Sequence, residues 1–328
     1  MGAEVVTVTG ELRDGYDVVV VGGGAAGLNG ALLLARSRRS VVVVDAGAPR
    51  NAPAAGVHGL LAREGMPPGE LLERGRAEVR SYGGSVVEGE VVTAERDGDG
   101  FTVALADGRT VRARRLLVTT GLVDELPDVP GLRERWGRDV LHCPYCHGWE
   151  VRDQAIGVLA CGPMAVHQAL LFRQLSADVV LFAHTQPAPS GEQAEQLAAL
   201  GVPVLTGEVA AIEVAGDRVV GVRLADGTVV ERAAVAVQSR MVARAGFLAG
   251  LGLTPAPHPS GMGEHLVADA AGRSAVAGVW LAGNVTDLAA QVGSAAAAGA
   301  FAGAQVNADL VAEDARRAVA AAREPLGV

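Results

Sequence analysis

Residues 142–150 read HCPYCHGWE, with Cys143 and Cys146 two residues apart and a histidine on each outer flank, His142 and His147. Two thiols at this spacing come close enough to bridge when a helix starts between them. Redox use also needs one thiol that ionises near neutral pH. A helix N-terminus and a neighbouring imidazolium both lower a cysteine pKa from its ordinary ~8.5. Pro144 and Tyr145 put no charge between the cysteines. His147, adjoining Cys146, is therefore the group placed to pair with a thiolate or to take a proton from an incoming thiol. His142 precedes the expected helix and is the weaker candidate. Zinc is the competing reading, because Cys143-x2-Cys146-x14-Cys161-x5-His167 superficially matches a zinc spacing. An inert, packed cysteine pair is a third. Cys161, however, falls in the turn of a strand–turn–helix pattern and reads as a small packing residue. No metal is expected, and the redox reading is preferred.

The elements that would position this chemistry begin upstream. Residues 16–47 read YDVVVVGGGAAGLNGALLLARSRRSVVVVDAG. A buried strand at Val18–Val21 leads into Gly22-x-Gly24-x-x-Gly27, a helix to about Arg38, and a strand Val41–Val44 ending at Asp45. This is the dinucleotide-binding fingerprint. Gly22 allows the tight turn, Gly24 lets the backbone approach a pyrophosphate at the helix start, and Gly27 permits close helix–strand packing. Asp45 can accept hydrogen bonds from a ribose. Residues 85–121 alternate as antiparallel strands do and end in VTTG at Thr120–Gly121. Residues 276–293 give a strand Val279–Ala282, a Gly283–Asn284 turn and a helix start near Gln291. Further helices are expected at about 70–82 and 311–324, with a closely packed one at 294–306.

Residues 155–183 repeat the first unit in damaged form. The pattern is Ala160-x-Gly162-x-x-Ala165, with Pro163 after the glycine. Alanine at the first position crowds the turn a pyrophosphate needs. After the strand Val179–Phe182 the chain reads AHTQPAPSGEQ, with neither an arginine for a 2′-phosphate nor an acidic residue at the strand end. NADPH binding is therefore doubtful, unless a distant arginine such as Arg240 serves.

The order of VVGGGAAG, VTTG at 118–121, CxxC at 143–146 and LAGNV at 281–285 resembles the low-molecular-weight thioredoxin reductase family of flavin-dependent disulfide oxidoreductases. CPYCHG is closest in motif to members that oxidise small-molecule dithiols. The resemblance implies an α/β fold of two dinucleotide-binding, Rossmann-like three-layer domains. A discontinuous FAD domain (1–123 and 245–328) would enclose a domain at 124–244 that carries CxxC. The linkers would lie at LVDELPDVPG and near QSRMVARAGF. The resemblance also assigns FAD contacts to Gly22, Gly24, Ala25, Ala26, Gly27, Asp45, Ala46, Arg50, Asn51, His58, Val91, Thr120, Gly121, Gly283, Asn284, Gln291 and Val292. Cys146 would lie against the flavin and Cys143 would face the substrate. Two positions depart from the reductases: His147 replaces the Asp after the second cysteine, and Asn284 replaces the Asp of the C-terminal turn. An amide at 284 can still bond a flavin ribityl hydroxyl.

The chain has 328 residues, 49% hydrophobic and 20% charged, enough for two ordinary domains with sizeable cores. Its basic residues are all arginine, and the net charge of −9 argues against nonspecific nucleic-acid binding. The N-terminal residues lack the pattern of a signal peptide, and no apolar run reaches the ~18 residues of a membrane span. Three cysteines are too few for a secreted disulfide framework. The expectation is a cytoplasmic FAD-dependent dithiol oxidase acting on a small-molecule dithiol with oxygen as acceptor, and a homodimer by family resemblance. The alternatives are an NAD(P)H-dependent reductase of a thioredoxin-like protein, and a flavin-binding redox sensor without turnover.

Overall fold

The computed structural model describes residues 12–323, so the N-terminal residues 1–11 that entered the signal-peptide reading lie outside it. The chain divides into two compact units. One comprises residues up to Arg50, Gly69–Val123 and the chain from Met241; the other comprises Asn51–Pro68 and Asp124–Arg240. The first unit gives way to the second after Val123 and resumes at Met241. The segment 51–68 goes with the second unit because it packs there. A Cβ on Gly137 would lie 2.7 Å from Pro53 Cβ, and His58 Nε2 is 3.4 Å from Glu150 Oε1.

In the first unit, β1 (Gly15–Val21), α1 (Ala25–Arg36) and β2 (Val41–Asp45) form the parallel crossover predicted from the glycine fingerprint. They are followed by α2 (Pro68–Ser81), β3 (Ser85–Glu88), β4 (Val91–Asp97), β5 (Gly100–Leu105) and β6 (Thr110–Val118). The sheet order is β3-β2-β1-β6-β5-β4, with the strand Val279–Leu281 added beside β6. Valine runs suit β1 and β2 because both faces are covered: Val18 and Val20 pack toward α1, and Val19 and Val21 into the core of the opposite face. The antiparallel reading of 85–121 holds for β4, β5 and β6 but not for β3, which runs parallel to β2 with Val42 opposite Ser85. The α2 crossover returns the chain to the same sheet end, and that connection makes a parallel pair.

The second unit receives the chain through β7 (Leu122–Glu125), which straddles the boundary. Then come α3 (Leu132–Arg135), β8 (Val140–Leu141), α4 (Pro144–His147), β9 (Ile156–Leu159), α5 (Ala165–Arg173), β10 (Val179–Phe182), α6 (Glu192–Ala199) and β11 (Val204–Leu205). A three-stranded antiparallel sheet follows, β12 (Val209–Ala215), β13 (Arg218–Leu224) and β14 (Val229–Glu231), then β15 (Ala234–Val237); β16 (Arg240–Ala243) takes the chain back across the 240/241 division. The parallel sheet β11-β10-β9-β15-β8 is the middle of three layers. Val158 and Leu181 face the helices, while Val180 and Phe182 face Ile212, Val219 and Val222 of the small sheet. The cysteine pair starts where β8 ends.

Back in the first unit, β17 (Ala256–Pro257) and β18 (Gly263–His265) precede β19 (Val279–Leu281) and α7 (Val292–Arg323). The two helices expected at 294–306 and 311–324 are a single helix of 32 residues. Nothing at 307–310 breaks a helix, and ion pairs hold it past that point. Arg39 reaches Asn307 and Asp314, Arg114 joins Asp314 to Asp17, and Arg115 reaches Asp309 and Glu313. α1 and α7 cross so closely that a Cβ on Gly299 would lie 1.9 Å from Ala26 O.

Candidate active site

The first crossover ends in a turn built around Gly22, whose φ of +103° an L side chain rarely adopts. A Cβ at Gly27 would meet Gly22 O at 1.9 Å and Thr119 Oγ1 at 2.6 Å. Thr119, buried beside Thr120, donates to the carbonyls of Val21 and Gly22 and fixes the turn. At Gly24 the space a Cβ would occupy is open, and this residue caps α1 without a side-chain bond, with no acidic residue in the first turn. Free backbone N–H groups therefore face an open, anion-favouring position. Asp45 Oδ1 accepts from Gly23 N and Oδ2 from Arg76. A carboxylate has further lone pairs, so a ribose hydroxyl remains within its capacity.

Other predicted contacts gather around this turn. Ala25 and Ala26 open α1, and Gly283 (φ +76°) lies against it, because a Cβ there would be 2.9 Å from Ala26 Cβ. Thr120 Oγ1 donates to Arg244 O, and Gly121 O accepts from Arg244 N, while Arg244 also reaches Ala48 O. Gln291 O accepts from Ala295 N and starts α7 just before Val292. Val91 opens β4 opposite Leu105. Ala46 follows β2, and Arg50 ends this stretch of the unit, but Asn51 and His58 belong to the second unit. Asn284 has a second duty that the sequence did not show. Its Nδ2 donates to the carbonyls of Asp287, Leu288 and Ala290, so its N–H groups hold the loop before α7, and Oδ1 is the atom that could accept from a ribityl hydroxyl.

In the second unit Cys143 caps the single-turn helix α4, so the dipole acting on it is that of one turn. Cys143 O accepts from the N–H groups of Cys146 and His147, and both cysteines are half-buried. Gly148 is required here: a Cβ would meet Pro144 O at 2.2 Å and Leu175 at 2.3 Å. His142 Nδ1 lies 3.3 Å from Val237 O, and its ring is tilted by 56° to that of Trp136, with centroids 6.4 Å apart. His147 Nε2 is buried with no hydrogen-bond partner among the described residues. Burial pushes this imidazole below its ordinary pKa; Glu150 pulls it up and His58 pushes it further down. The ring is therefore neutral at pH 7, a proton acceptor more than an imidazolium partner. Cys161 is buried enough that its thiol is pushed up to about 11, which fits a packing residue. Among the described residues no cluster of three or more His, Cys, Asp or Glu is placed to hold a metal ion.

The damaged crossover differs from the first in geometry as well as sequence. Neither Ala160 nor Gly162 has a positive φ. Met164, exposed, is the residue before α5, and Pro163 supplies no N–H donor. At the end of β10, His184 Nδ1 accepts from Val209 N, and burial lowers its pKa against the pull of Glu208. It is a neutral ring, unsuited to a 2′-phosphate. Arg240, the distant arginine considered above, is paired with Glu125 at 2.6 Å.

A strand–Gly-turn–helix crossover, a second crossover and a CxxC at a strand end define a dinucleotide-dependent disulfide oxidoreductase. The chain belongs to the pyridine nucleotide-disulphide oxidoreductase family, whose model matches residues 16–304. It is 32% identical over 308 residues to a protein named thioredoxin reductase tcpT from Claviceps purpurea, covering 90% of this chain and 95% of that one. The crystal structure of HlmI superposes with a TM-score of 0.90 at 49% identity, over 97% of this chain and all of that one. An oxidoreductase from Agrobacterium tumefaciens superposes at 0.84 with 37% identity, over 90% and 98%. The chain is thus an oxidoreductase of the thioredoxin reductase-like kind, and its family is FAD-dependent. The first crossover fits that cofactor: the open cradle over Gly24 suits a diphosphate, and Asp45 suits a ribose. Among the described residues no helix is long and apolar enough to cross a membrane.

Thr119, Arg76, Arg244 and Gly148 were not found by sequence reasoning. The TTG run hinted at Thr119; the pairing of Arg76 with Asp45 spans 31 residues and leaves no local signal.

Proposed function

We propose that this oxidoreductase is a dithiol oxidase that closes a small-molecule dithiol into a disulfide through Cys143 and Cys146, with oxygen as final acceptor. A substrate thiolate attacks Cys143 Sγ of the oxidised pair, forms a mixed disulfide and expels the Cys146 thiolate. The second substrate thiolate then attacks the substrate sulfur of the mixed disulfide and releases the Cys143 thiolate. The substrate loses two electrons and two protons, and the cysteine pair gains the two electrons. FAD held at the Gly22–Gly27 turn and Asp45 would supply the two-electron acceptor chemistry that connects the cysteine pair to oxygen, with peroxide as the product. His147, neutral and buried, takes a proton from the attacking thiol. By family resemblance the enzyme works as a cytoplasmic homodimer, with the FAD domain formed by the first unit.

The observation that carries this reading is the second crossover, where Ala160, Pro163, Met164 and the neutral His184 replace what a nicotinamide cofactor's phosphates require. The name of the Claviceps relative favours a second reading, an NAD(P)H-dependent reductase of a thioredoxin-like protein. Anaerobic mixing decides between them. Dithiothreitol should bleach the flavin and NADPH should not, and in air the dithiol should consume oxygen and yield peroxide without nicotinamide. Rapid bleaching by micromolar NADPH would overturn the oxidase assignment, and cycling with neither would indicate a sensor.

A further inference from the structure

Near the cysteine pair in sequence, within the second unit, a chain of titratable side chains reaches the surface. His147 ends α4, and Glu150 follows three residues later in the next turn. Glu150 Oε1 lies 3.4 Å from His58 Nε2, and His58 Nδ1 lies 2.6 Å from Glu64 Oε1. Side-chain exposure is 23% at His58, 40% at Glu150 and 66% at Glu64, so the line ends in water. The loop carrying His58 and Glu64 is closed by Val57 N to Met66 O and Gly65 N to Val57 O. Gly59 N donates to Glu64 Oε2, so this carboxylate fixes the loop and the ring together. The bond from His58 holds the Glu64 carboxyl below its usual range, so it is ionised and accepts. The proton of a neutral His58 therefore sits on Nδ1, which leaves Nε2 as an acceptor turned toward Glu150.

We propose that Glu150, His58 and Glu64 form the proton exit for His147. The idea rests on the dithiol oxidation reading above. His147 takes the substrate thiol's proton, and Glu150, the carboxylate whose charge acts on that ring, draws it onward through water. Glu150 gives a proton to His58 Nε2 as the Nδ1 proton moves to Glu64 and then to water. One proton enters the line and one leaves; His58 ends with its proton on Nε2, and a flip of the ring restores the starting tautomer. Without an exit, a buried imidazole below its ordinary pKa would stay protonated after one transfer only at a cost, and could not serve the second thiol. On α5, which packs against α4, Gln168 is uncharged and bonds His142 O, His167 is exposed, and Arg173 is bound to Leu200 O and Ser176 O. Arg152 lies over the Trp149 ring and donates to Trp149 O.

The test is single-turnover flavin reduction by dithiothreitol in the anaerobic holoenzyme. Glu150→Gln and His58→Gln should slow it by about tenfold or more, with flavin content and melting temperature preserved. Added imidazole should restore the rate in His58→Gln by carrying the proton instead. Glu150→Gln should also move the acid limb of the rate to lower pH, because the charge that raises the His147 pKa is gone. Unchanged rates in both variants, or slowing that tracks a lower melting temperature and resists imidazole, would overturn the relay alone. Wild-type protein that dithiothreitol cannot reduce would overturn the dithiol reading itself.

Discussion

Asn284 offers a test of why this chain departs from the aspartate that the resemblance predicts at the C-terminal turn. Its Nδ2 faces three carbonyl oxygens, of Asp287 at 3.0 Å, Leu288 at 3.4 Å and Ala290 at 2.9 Å. Asn284→Asp turns that donor into an ionised acceptor. Two bonds of good length are lost at about 1 kcal/mol each. The third is long and adds little. The new carboxylate also confronts carbonyls, although half-exposure lets water relieve much of that repulsion. The sum is about 2–3 kcal/mol. At about 2–4 °C per kcal/mol for a unit of this size, the melting temperature should fall by about 4–12 °C. Thermal unfolding followed by circular dichroism, with and without added FAD, measures this. The sign of the pH dependence follows from the same geometry. An aspartate here is disfavoured when ionised, so its folded-state pKa is raised above its unfolded value. The deficit relative to wild type should therefore shrink as pH falls below that raised value, where the carboxyl regains a proton to donate. An unchanged melting temperature at pH 7, or a deficit that grows in acid, would refute the reasoning.

Gly24→Val should leave the apo fold intact, because the Cβ position is open, yet abolish the yellow colour by filling the diphosphate cradle; full flavin occupancy would misplace the site. Cys143→Ser should leave a Cys146 thiolate that gives a long-wavelength charge-transfer band with oxidised flavin, and finding the band only in Cys146→Ser would reverse the two roles. His147→Ala should lower dithiol-dependent oxygen uptake by ~10²–10⁴ with flavin binding unchanged. Because burial lowers the His147 pKa, wild-type activity should persist to below pH 6.5 before the ring protonates. The same depressed pKa makes stability fall as pH drops from about 6.5 toward the folded value, since the unfolded chain takes up the proton first; a His147→Ala protein should lose that component in a pH series of melts.

Local pattern determined the first crossover, the second crossover and the cysteine pair, because each is set by residues adjacent in sequence. The glycine positions dictate a positive φ at Gly22 and a close approach at Gly27, and valine runs dictate doubly buried strands. The damage at Ala160 and the missing arginine were equally plain in the sequence. Tertiary structure alone decided what lies far apart in the chain. Arg39, Arg114 and Arg115 pair with Asn307, Asp309, Glu313 and Asp314, which keeps α7 continuous where composition suggested two helices. The segment 51–68 joined the second unit through Pro53 and His58, so the groups beside the cysteine pair include side chains drawn from some 90 residues upstream. His147 was legible as a neighbour of the cysteine pair, but its neutral state comes from burial, which is a sum over neighbours that no local spacing records. Asn284 reads in the sequence only as a cofactor contact; its clamp on the loop before α7 was not legible, because its three acceptors are brought to it only when the chain turns into α7.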